Sequence, residues 1–93
     1  MDTFQQLMQL NGSAFEKRNF ESAYHSLMAA IYLVERDDVR LQAIEERATE
    51  QEKWFDDNLP GDARQRNFEA IRLQSTNLRF RLENFRVRNG HAT

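Results

Sequence analysis

The sequence lacks cysteine entirely and has one proline and three glycines among 93 residues. Without cysteine there is no disulfide, no thiolate zinc site and no cysteine nucleophile. No apolar stretch approaches the roughly 18 to 20 residues that a membrane-spanning helix needs. Residues 1–6 lack the basic region and apolar run of a secretory signal. These absences lead us to expect a cytoplasmic protein that makes no membrane contact.

The sequence also lacks the residue groups that catalysis and metal binding require. Of its two histidines, His25 has only Glu21 one turn before it, and His91 lies near the C-terminus. The paired acids at 37–38 and 56–57 fall at predicted helix ends, where capping and turn formation explain them. No glycine-rich phosphate loop or nucleotide-binding fingerprint occurs. We therefore expect no enzyme, no cofactor and no metal site.

What the sequence does contain is typical of helices. Charged residues make up 30% of the chain and hydrophobic residues 40%, and apolar positions recur at helical spacing. The predicted helices span about residues 4–17, 20–36, 38–57 and 62–88. The predicted fold is one all-α domain of about four antiparallel helices, arranged as a repeat-like hairpin followed by a longer coiled-coil-like hairpin.

Capping residues set the predicted boundaries. Thr3 with Gln6 three residues later is typical of a capping box, and Asn19 can cap the second helix. Asp37-Asp38 places carboxylates at the positive end of the third helix. Pro60-Gly61 must break the chain before the fourth helix, and Asn89-Gly90 can end it.

The last two predicted helices share a coiled-coil pattern of apolar positions at alternating spacings of three and four. On the third helix the seam comprises Leu41, Ile44, Ala48, Gln51 and Phe55. On the fourth it comprises Phe68, Ile71, Ser75, Leu78, Leu82 and Phe85. The two helices can therefore fold against each other about the turn near Asp62.

Charge supports this pairing. Residues 35–57 carry a net charge of −5 and residues 58–93 a net charge of +4. Three acid–base pairs beside the seam share the midpoint Asp62: Glu52 with Arg72, Glu45 with Arg79, and Asp38 with Arg86. Exposed pairs contribute only about 0.2 to 1 kcal/mol each, so we expect them to fix orientation more than to stabilise.

Two further surfaces are candidates for binding. The other flank of the seam carries a basic patch that should face solvent or an acidic partner: Arg40, Arg47, Arg81 and Arg88. The far side of the fourth helix carries an outer stripe of apolar residues seven apart with asparagines between them: Leu73, Asn77, Phe80, Asn84 and Val87. An exposed apolar stripe indicates an interface. Burial of the stripe against the first two helices is the alternative.

Residues 7–37 resemble one tetratricopeptide repeat. Within Asn19–Ala30, the aromatic, small, bulky and small positions of the repeat's second helix are matched by Phe20, Ala23, Leu27 and Ala30. Leu7, Leu10, Ala14 and Phe15 fall near the first-helix positions. The stretch departs from the family at Asn11, where a small residue is usual, and no second copy follows. The resemblance implies a protein-binding scaffold without catalysis.

Together these features predict a non-catalytic helical module that binds other proteins and forms a homodimer through its fourth helix. The alternative is a nucleic-acid-associated helical protein, because the fourth helix is rich in arginine and arginine contacts phosphates. Against that alternative stand the acidic partners predicted for three of those arginines and the net charge of −2.

Overall fold

The computed structural model describes residues 2–58 and 67–78. α1 spans Thr3–Glu16, α2 spans Phe20–Leu33 and α3 spans Asp38–Asn58, and α4 covers 67–78. No strand occurs among the described residues. α1 packs with α2, and α3 with α4, as two hairpins, which confirms the predicted all-α architecture. The predicted ends of the fourth helix and the turn at Pro60-Gly61 lie outside the described residues.

α1 begins one residue earlier than predicted. The N-cap is Asp2, not Thr3: the backbone of Asp2 is extended, with φ −77° and ψ 171°. Its carboxylate accepts a hydrogen bond from the Gln5 backbone N–H at 2.8 Å, and the Gln5 side chain accepts from the Asp2 N–H at 3.2 Å. A capping box is therefore present, but it lies one residue earlier in the sequence than predicted. An aspartate N-cap also places negative charge at the positive end of the helix dipole.

The turn between α1 and α2 depends on an arginine in a conformation that usually favours glycine. Arg18 has φ 61°, and the N–H groups of Arg18 and Asn19 donate to the carbonyls of Phe15 and Ala14. This is the Schellman pattern of helix termination. The left-handed conformation costs a non-glycine residue about 1 to 2 kcal/mol. Offsetting this cost, the Arg18 guanidinium lies 4.0 Å from the centroid of the Trp54 ring.

α2 ends at Leu33 rather than near Arg36. Val34 is buried and caps the helix, and Asp37 donates its N–H to the Val34 carbonyl across the turn. Asp37 then accepts a hydrogen bond from the Arg40 N–H at 3.1 Å and so caps α3, as predicted. An N-cap residue must leave helical geometry, so the two helices cannot be continuous through residues 34–37. Asn19 caps α2 in the same way, as predicted.

The core is centred on aromatic side chains contributed by all four helices. Their ring centroids lie 4.7 to 6.4 Å apart, most of them in edge-to-face orientation. The cluster comprises Phe15, Phe20, Tyr24, Trp54, Phe55 and Phe68. Such pairs contribute about 0.5 to 1.5 kcal/mol each beyond the burial of their area. The predicted seam residues of α3 and α4 are buried throughout the described part, with Leu78 half-buried against the core.

We predict that Gly12→Ala stabilises the protein. A Cβ atom at Gly12 would lie 3.6 Å from the Arg47 side chain, an ordinary van der Waals contact, so no close helix approach requires glycine. Alanine in a helix interior is favoured over glycine by about 0.5 to 1 kcal/mol. Urea denaturation followed by circular dichroism measures the change, with exposed Ser13→Ala as the neighbouring control. A destabilised Gly12→Ala variant would contradict this prediction.

Candidate protein-interaction surface

The outer face of α4 carries an exposed leucine in its described part. Leu73 is 64% exposed, and Ala70 and Asn77 on the same face are also exposed. These three residues, together with Gln74 and Leu78, line a shallow concave surface. The remaining residues of the predicted stripe, Phe80, Asn84 and Val87, lie outside the described residues.

The opposite face of α4 is fully used in packing. Phe68, Ile71 and Ser75 have no exposed surface, and the Phe68 ring lies 5.7 Å from that of Phe55 on α3. The alternative prediction, that the first two helices cover the outer stripe, is therefore wrong at Leu73. α4 buries one face against the bundle and presents Leu73 on its other face to solvent.

One of the three predicted ion pairs is present, and the other two involve residues outside the described range. Arg72 Nε lies 3.2 Å from Glu52 Oε1, as the register required. Glu45, predicted to pair with Arg79, accepts a hydrogen bond from Thr76 Oγ1 at 3.0 Å. Both contacts join α3 to the same flank of α4. The antiparallel register derived from the sequence is therefore correct where the structure describes it.

The Glu52–Arg72 pair differs from its prediction in burial. Only 9% of the Glu52 side chain is exposed, against 40% for Arg72. Glu52 Oε1 has a charged neighbour but no hydrogen-bond partner among the described residues. Burial raises the pKa of Glu52, Arg72 lowers it in part, and Glu69 and Asp56 raise it further. The cost of burying the carboxylate thus exceeds the attraction of its partner.

The two described arginines of the predicted basic patch contact groups of the same chain. Arg40 forms ion pairs with Asp2 at 3.0 Å and with Asp37 at 3.4 Å, and its guanidinium lies 5.0 Å from the Phe4 ring centroid. Arg47 is half-buried against α1. α1 covers this flank of α3 at Arg47, which does not face solvent as predicted, whereas Arg40 keeps 41% of its side chain exposed. Arg81 and Arg88 lie outside the described residues.

A buried amide pair explains the position of Arg47. The side chains of Asn11 and Gln51 exchange two hydrogen bonds, at 2.7 and 3.2 Å. Asn11 also donates to the Ala23 carbonyl at 2.8 Å. Arg47 donates to Asn11 Oδ1 at 3.0 Å and to the Met8 carbonyl at 2.9 Å. The Asn11 amide therefore makes four hydrogen bonds, which is its full capacity, and joins α1, α2 and α3.

A second group of exposed apolar side chains surrounds the turn between α2 and α3. Tyr32, Leu33 and Val39 are 68%, 49% and 78% exposed. Tyr32 and Leu33 stand in the last turn of α2, where the chain leaves for α3.

The described residues contain no group of three or more histidine, aspartate or glutamate side chains able to hold a metal ion. His25 is exposed and lies against the ring of Tyr24, with a centroid distance of 5.1 Å. Nor does any helix within 2–58 and 67–78 combine the length and apolarity needed to cross a bilayer.

We predict that Asn11→Ala destabilises the protein by about 2 to 3 kcal/mol. The substitution leaves the buried amide oxygen and amide N–H of Gln51 without their Asn11 partners, and each such group costs about 1 to 3 kcal/mol. Chemical denaturation measures the loss. The double variant Asn11→Leu/Gln51→Leu removes both amides and should recover part of it. Equal stability of Asn11→Ala and the wild type would show that the amide pair contributes nothing.

We predict that Glu52→Gln stabilises the protein at neutral pH. Because the pKa of Glu52 is raised in the folded state, its contribution is fully present below the unfolded-state pKa and is lost as pH rises through the folded-state pKa. Glutamine is uncharged and removes this loss. Urea midpoints from pH 4 to 8 measure the effect against Glu50→Gln, an exposed position on the same helix. A Glu52→Gln variant that is less stable than Glu50→Gln at pH 7 would contradict the prediction.

Comparison of the chain with protein-family models, characterised proteins and solved structures found no match. The tetratricopeptide-like spacing accordingly stays a prediction.

Proposed function

We propose that this protein is a non-catalytic helical interaction module that self-associates through the outer face of α4. The exposure of Leu73 supports this proposal most directly. In its described part α4 already buries Phe68 and Ile71 in the core, so a large apolar residue on its far side has no role in the described packing. An exposed apolar stripe with a polar rim is typical of an interface.

The first hairpin supports the same class of function. The four residues that carry the tetratricopeptide resemblance in α2 are all buried: Phe20, Ala23, Leu27 and Ala30. Small residues at two of these positions allow neighbouring helices to approach closely. We propose that α1 and α2 form a scaffold that holds the second hairpin, in a protein located in the cytoplasm.

Nucleic-acid binding is the alternative function, and the described arginines support it little. Arg18 contacts Trp54, and Arg72 is paired with Glu52. Arg40 is paired with two aspartates, and Arg47 donates to groups on α1. Guanidinium groups that satisfy internal partners are poorly placed to contact phosphates.

We predict that Leu73→Asp converts a dimer into a monomer. Removing a buried leucine from both copies would cost at least about 3 kcal/mol per dimer, which raises the Kd roughly 100-fold or more. Sedimentation equilibrium over a range of protein concentrations measures the change. Val39→Asp is the matched control, because it replaces another exposed apolar residue away from α4.

A wild-type protein that stays monomeric at every concentration would overturn the proposal. So would a dimer that dissociates with Val39→Asp but not with Leu73→Asp. Retention of the monomer on DNA or RNA, weakening steeply with salt, would favour the alternative function instead.

A further inference from the structure

We draw no further inference here: the strongest candidate, the exposed apolar surface patch that Tyr32, Leu33 and Val39 form around the turn between α2 and α3, carries none because nothing in the described part of the structure shows what covers it.

Discussion

The buried amide pair between Asn11 and Gln51 is the interaction on which the arrangement of the first three helices depends. Apolar side chains tolerate small slips of one helix along another, whereas buried amides do not, because a slip leaves them without partners. Asn11 uses all four of its hydrogen-bonding positions on groups from α2 and α3. It therefore fixes the register of both neighbouring helices at once, as a polar residue does in a coiled-coil seam.

The position of α4 follows from this constraint. Gln51 and Phe55 lie on the same buried seam of α3, and the Phe55 ring lies 5.7 Å from that of Phe68 on α4. The rings of Phe15 and Phe55 pack against the Phe68 ring. Because one face of α4 is buried in this packing, Leu73 on its other face remains at the surface. The candidate interface is thus a consequence of how the first hairpin is held.

The helices and the seam could be predicted from the sequence because they depend on spacing within one segment. The Glu52–Arg72 pair could be predicted because an antiparallel register follows from a known turn centre. The role of Arg47 could not, since it depends on which flank of α3 lies against α1, and no local pattern carries that information. Asn11 looked like a departure from a helical repeat, and its partner Gln51 is forty residues away in the chain.

The number of arginines in the sequence and the contacts that they make in the structure suggest different roles for these residues. The arginines of the sequence invite comparison with nucleic-acid-binding proteins, yet four of the five in the described residues contact rings, carboxylates or carbonyls of the same chain. Such internal contacts satisfy the planar, multidentate guanidinium group that would otherwise contact phosphates. Glu52 also has an internal partner, but burial raises its pKa and so disfavours the charged carboxylate, although Arg72 opposes this in part. The charges of this bundle therefore specify the orientation of its helices, and its buried apolar core supplies the stability.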